Sequence, residues 1–121
     1  LSQPDSITAT FAKRLKEARA MRGLSQRALG ALVDKDQSKD KGAVRVNRYE
    51  QQVNRADMES AAELAKALDV PVAYLFADDD QLAKLILDYW QLTPEQREVL
   101  GKTASALNLE KDKDLRTTSD S

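Results

Sequence analysis

A chain of 121 residues with no cysteine and no histidine suffices for one domain with a modest core, and excludes disulfides, thiolate or imidazole metal sites and Cys/His nucleophiles. Charged residues make up 32% and aromatic ones 5%, a balance typical of helical proteins, and no apolar run approaches the ~18 residues of a membrane span, so a cytoplasmic setting is expected. The formal net charge of −1 hides an asymmetry: residues 1–56 carry 12 Lys/Arg against 6 Asp/Glu, and residues 57–121 carry 7 against 14, which suggests a polyanion-binding surface on the first half.

From Ser6 or Thr8 onward, Phe11, Leu15, Ala18 and Met21 recur at helical spacing until Gly23 supplies a stop. Lys13, Arg14 and Lys16 lie between them and are expected on the solvated surface. A second helix follows at once, capped by Ser25, with Ala28, Leu29 and Leu32 on one face. Two helices joined by so tight a turn must cross steeply.

The pattern fails after Val33 and resumes near Gly42. On a helix with Val46 facing inward, Ala43, Tyr49 and Glu50 share the inner side, while Lys41, Val44 and Arg48 lie opposite, flanked by Arg45 and Asn47. Two starts are open. Gly42 as cap gives a short helix, and Ser38 as cap gives one a turn longer, with Gly42 inside it at a cost of about 1 kcal/mol.

Asp57 caps a fourth helix whose buried face is Met58, Ala61, Leu64, Ala65 and Leu68, and Pro71 opens a short fifth, "PVAYLF". Asp78, Asp79 and Asp80 supply negative charge at the start of a sixth, where a solvated helix start is the expected role rather than a cation site. "TPEQ" then gives a seventh helix its cap at Thr93, proline at the first position and capping-box Gln96. From about Glu110 the tail is polar and without periodicity, so residues 110–121 are expected to be disordered.

"RLKEARAMRGLSQRALGALV", "VRVNRYE" and "AAELAKALDVPVAYLF" together resemble the five-helix DNA-binding domain of the Cro and phage-repressor type, the xenobiotic-response-element family of regulators. The resemblance covers about Phe11 to Phe76. It rests on Arg19, on Gly23 to Gln26, on Arg45 to Glu50 and on Leu68 to Pro71. The turn from Val33 to Lys41 is longer than usual, as in a subgroup that includes controller proteins of restriction–modification systems. Where the family has a left-handed glycine after the reading helix, this chain has Gln52.

The resemblance implies an all-α fold: a lambda-repressor-like helix-turn-helix domain over residues 6–77, followed by two helices at 78–109 for dimerisation. Val44, Arg45, Asn47 and Arg48 become candidates for base contact, and Ser25, Gln26, Arg27, Lys39 and Lys41 for phosphate contact. Arg19 and Glu50 match the family's internal ion pair. Leu82, Leu85, Ile86, Tyr89 and Trp90 offer more apolar surface than a small domain needs, and are the candidate dimer interface. The implied function is a repressor or autoregulator that binds a double-stranded operator as a homodimer, with no cofactor and no catalysis. The rival is an antitoxin-like or other protein-interaction module, its protein partner met by the acidic C-terminal helices.

Overall fold

Seven helices and no strand occur among the described residues of the computed structural model, which describes residues 6–34 and 40–119, with side chains as far as Lys113. They are α1 (Ile7–Met21), α2 (Gln26–Val33), α3 (Lys41–Glu50), α4 (Met58–Leu68), α5 (Val72–Leu75), α6 (Asp80–Gln91) and α7 (Pro94–Ser119). The starts follow local chemistry. Ser6 Oγ accepts from the Ala9 amide at 3.1 Å, Ser25 Oγ from Ala28 at 2.9 Å, and Asp57 from Ser60 at 2.7 Å. Thr93 and Gln96 close the capping box in both directions, at 3.0 and 3.2 Å.

The core gathers Phe11, Leu15 and Ala18 of α1, Leu29 of α2, Val46 and Tyr49 of α3, Leu64 and Leu68 of α4, and Tyr74 and Leu75 of α5. Ala83 of α6 is buried in the same cluster, and Ile86 and Leu87 pack against it. The chain divides into two compact units, residues 1–90 and 91–121. The division falls at the end of α6, whose buried Ala83 joins the first core.

Two further contacts hold α6 there. Arg14, expected on the surface, is buried with its side chain 4% exposed. Its Nε donates to the Ala77 carbonyl at 2.8 Å, and its other nitrogens meet Glu17 and Asp80 at 3.0 Å. Lys13 joins Asp80 at 2.9 Å. The hydrogen bonds from Lys13 and Arg14 hold the Asp80 carboxyl below its ordinary range, while Asp79 caps α6 by accepting from the Leu82 amide at 2.8 Å. At the other end of α6, Trp90 Nε1 donates to Asp69 at 3.1 Å.

Three helices end in the same way. Leu24 N donates to Arg19 O, Val53 N to Arg48 O and Val70 N to Ala65 O, each closed by a residue in the left-handed region. That residue is Gly23 after α1, but Gln52 (φ 61°) after α3 and Asp69 (φ 53°) after α4. The chain therefore takes the family's left-handed exit at Gln52 without the glycine that makes it easy. The Gln52 Oε1 atom is also buried with no hydrogen-bond partner among the described residues.

Neither expected start of α3 is the one observed. The helix begins at Lys41, after Asp40 in a left-handed conformation (φ 62°) with no side-chain cap bond; Ser38 lies outside the described residues. Gly42 is a helical residue, and the reason is the crossing of α2 and α3. A Cβ on Gly42 would overlap the backbone of Gly30, and one on Gly30 would overlap the backbone of Gly42 and Ala43. The two glycines let the helices touch main chain to main chain.

Residues 110–119, expected to be disordered, continue α7 to Ser119. Leu109, Glu110, Lys111, Lys113, Leu115 and Arg116 are good helix formers, so propensity carries the helix on where apolar periodicity stops.

Two opposite stability effects follow. Replacing Gly30 or Gly42 by Ala adds helix propensity but forces the crossing apart, and we expect a net loss of about 1–3 kcal/mol in urea unfolding. Gln52→Gly removes left-handed strain and an unpaired buried oxygen, and should raise stability by about 1 kcal/mol in the same measurement.

Candidate nucleic-acid interface

Helix α3 divides by its period. Gly42, Val46, Tyr49 and Glu50 are buried, while Lys41, Val44, Asn47 and Arg48 are exposed on the other side. The inner face is fixed by packing and by charge, so the outer face has one orientation relative to the domain.

The charge contribution is a network across three helices. Arg19 of α1 donates from Nε and Nη2 to the two carboxylate oxygens of Glu50, at 2.7 and 3.0 Å, and from Nη1 to the Leu24 carbonyl at 3.0 Å. The Glu50 side chain is 1% exposed, so its charge depends on these partners. The Glu50 hydrogen bond, opposed by burial, raises the Arg19 guanidinium above its ordinary value. Gln26, the first residue of α2, adds its side-chain amide: Nε2 donates to Glu50 Oε1 at 3.0 Å and to Asn47 Oδ1 at 3.2 Å.

The candidate contact residues sort by how committed their polar atoms are. Arg48 is exposed and its guanidinium has no partner among the described residues. Val44 is 46% exposed and presents an apolar tip beside it. Asn47 is exposed, with its oxygen held by Gln26 and its amide nitrogen left to donate. Arg45 differs. It is half-buried, and its Nη2 donates to Tyr49 Oη at 3.2 Å and to Ser60 Oγ of α4 at 3.1 Å, with the guanidinium over the Tyr49 ring. Its position on α3 suits base contact, but its donors brace α3 against α4.

Of the phosphate candidates, Ser25 and the α2 N-terminus are exposed, with Ser25 Oγ engaged as cap. Gln26 Nε2 donates twice within the network, so its side chain supports the α3 helix in this arrangement. Arg27 forms an exposed ion pair with Asp40 at 3.0 Å across the two ends of the long turn. Such pairs contribute little and are readily exchanged. Lys41 begins α3 on its exposed side; Lys39 lies outside the described residues.

Sequence reasoning missed Gly30, Ser60 and Arg22. A glycine inside a helix costs about 1 kcal/mol and signals a close approach, so Gly30 carried a usable sign. Arg22 donates to the carbonyls of Leu68 and Asp69 at 2.7 and 2.8 Å, satisfying the end of α4. No spacing pattern marks the contacts of Arg22 or Ser60, because they join residues distant in sequence.

The sequence profile of the helix-turn-helix family matches residues 15–75. Among solved structures, the chain is similar to the crystal structure of the transcriptional regulator BswR, with a TM-score of 0.72 and 39% identity. That likeness covers 78% of this chain and 92% of the other. None of the curated proteins matches. No helix among the described residues is long and apolar enough to cross a membrane.

Arg19→Ala leaves the buried Glu50 carboxylate without its main partner and should cost about 3–5 kcal/mol in urea unfolding. Arg19→Met combined with Glu50→Leu should recover most of that loss; an equal loss in the double variant would show that the charges themselves are required.

Proposed function

The chain belongs to the helix-turn-helix family of the Cro and phage-repressor type, and from that premise we propose that it is a sequence-specific double-stranded DNA-binding regulator of transcription. It places α3 in the major groove and represses, or regulates its own gene, by occupying an operator. The observation that carries this reading is Arg48. Its guanidinium stands beside Val44 and Asn47 on the exposed side of a helix whose other side is locked, with no described partner to use its donors.

The chemistry of the stripe is that of base edges. Arg48 can donate two parallel hydrogen bonds to guanine, and Val44 suits a thymine methyl. Asn47, with its amide nitrogen free, suits an acceptor such as a purine N7. Arg45 is the weaker of the four base candidates, since a base must compete with Tyr49 and Ser60 for it. Lys41, Arg27 and Lys39 surround the stripe as phosphate contacts, with Ser25 and the free amides at the start of α2. Gln26 holds Asn47 and the α3 carboxylate in register.

One such domain makes few base contacts, so two copies on a two-fold related site are proposed, with half-sites about one DNA turn apart. Support comes from α6, where Leu82, Leu85 and Tyr89 are each more than 40% exposed. Ile86 packs against the core and Trp90 bonds Asp69, so both belong first to the domain's own packing. The long-turn subgroup of controller proteins is part of the same proposal, supported by the length of the chain between α2 and α3.

Selection of bound duplexes from a random pool, run beside a mass measurement, tests these points together. A palindromic consensus and a dimer are expected, and no enrichment over bulk DNA would overturn the reading in favour of a protein-interaction module. Arg48→Ala should cost about 1–3 kcal/mol and relax preference at one base pair, whereas Lys41→Ala should weaken all sequences alike and flatten the salt dependence.

A further inference from the structure

A cavity of about 110 Å³ lies at the foot of α1, where the chain leaves α3 and where α5 ends. Phe11 and Tyr49 form its buried floor, with Ile7, Ala56 and Phe76 as walls. The rings of Phe11 and Phe76 are 5.5 Å apart, and Phe11 meets Tyr49 edge to face at 6.3 Å. Ile7 and Phe76 are 54% and 41% exposed, so the cavity opens to solvent with an apolar lip.

Its size and chemistry restrict what fits. An apolar cavity of roughly 150 Å³ accepts benzene, so this one, open on one side, has room for a single ring and little more. Aromatic walls favour an aromatic occupant in edge-to-face or offset contact. Among the described residues no carboxylate lines the cavity, while Arg55, exposed and with no ion-pair partner among them, does. A guanidinium at the mouth of an aromatic cavity favours an anionic group, and a carboxylate accepts from it in parallel.

We propose that this cavity is a binding site for a small monocyclic aromatic acid, its ring against Phe11, Tyr49 and Phe76 and its carboxylate on Arg55. Neither Val44 nor Arg48 lines the cavity, which meets α3 at the buried Tyr49 rather than on its exposed side. A consequence for regulation rests on the DNA-binding reading above. An anion held on Arg55, five residues past α3, adds negative charge to the basic half and lowers affinity for DNA.

Titration of the full chain with benzoate, followed by amide chemical shifts without DNA, tests the site. Saturable shifts at Ile7, Phe11, Ala56 and Phe76 are expected, with a Kd of roughly 1 mM or tighter for a ligand of this size. Arg55→Gln, at an exposed position, should weaken benzoate about tenfold, the loss of a charge-assisted pair, and leave the neutral isostere benzamide unchanged. Ala56→Leu fills the cavity and should abolish both. Shifts that do not saturate, shifts that map elsewhere, or an Arg55→Gln variant that binds benzoate like the parent would overturn the site, and this last comparison decides even where Ala56→Leu fails to fold. Binding that persists with DNA affinity unchanged would remove the regulatory consequence and leave the site standing. Absence of any DNA binding would overturn the earlier reading alone.

Discussion

The orientation of α3 depends on the main-chain contact between Gly30 and Gly42. Side chains between packed helices ordinarily hold their axes 8–10 Å apart; here each glycine occupies the space that the other's Cβ would need. The contact is made near the start of α3, and its last turn is held by a different device, the Glu50 carboxylate between Arg19 and Gln26. A rod fixed near both ends has no freedom to tilt. That constraint turns four exposed residues into a surface of defined shape, its angle set by the crossing.

Polar atoms on α3 are divided between holding the helix and leaving donors available. Glu50 is wholly internal, and Arg45 is largely so through Tyr49 and Ser60. Hydrogen bonding to Tyr49, opposed by burial, raises the Arg45 guanidinium above its ordinary value, and its contact with Ser60 joins α3 to α4. Asn47 is intermediate, since its oxygen is fixed and its nitrogen is not. Arg48 alone of the α3 side chains beyond the first turn keeps every donor unpaired among the described residues. The helix thus grades from brace to probe over four consecutive residues.

Much of the fold was legible because its helix starts are written in local chemistry. Ser6, Ser25, Asp57 and the Thr93–Gln96 pair act where their residue types predict. The inner face of α3 was equally legible from the spacing of Val46, Tyr49 and Glu50. What escaped was set by contacts distant in sequence. Arg14 reads as one more cation on a charged helix, and its burial depends on Ala77 and Asp80 arriving beside it. The start of α3 was misplaced because Gly42 has the look of a terminus when its partner Gly30 is not considered. In each case tertiary contact overrode a sound local expectation.

The same contacts change the meaning of the basic half. Its excess of cations suggests a broad positive surface, yet most of the described ones have a partner within the protein, some of them in exposed pairs. Lys13 and Arg14 meet Asp80, Arg19 meets Glu50, Arg22 satisfies carbonyls at the end of α4, Arg27 pairs with Asp40, and Arg45 braces α4. Among the described residues Lys16, Lys41, Arg48 and Arg55 are left without such partners. Of these described cations, Lys41, Arg48 and Arg55 lie on and just after α3. The orientation of the exposed α3 residues therefore rests on the glycine crossing and on the Glu50 network, contacts that the net charge does not reveal.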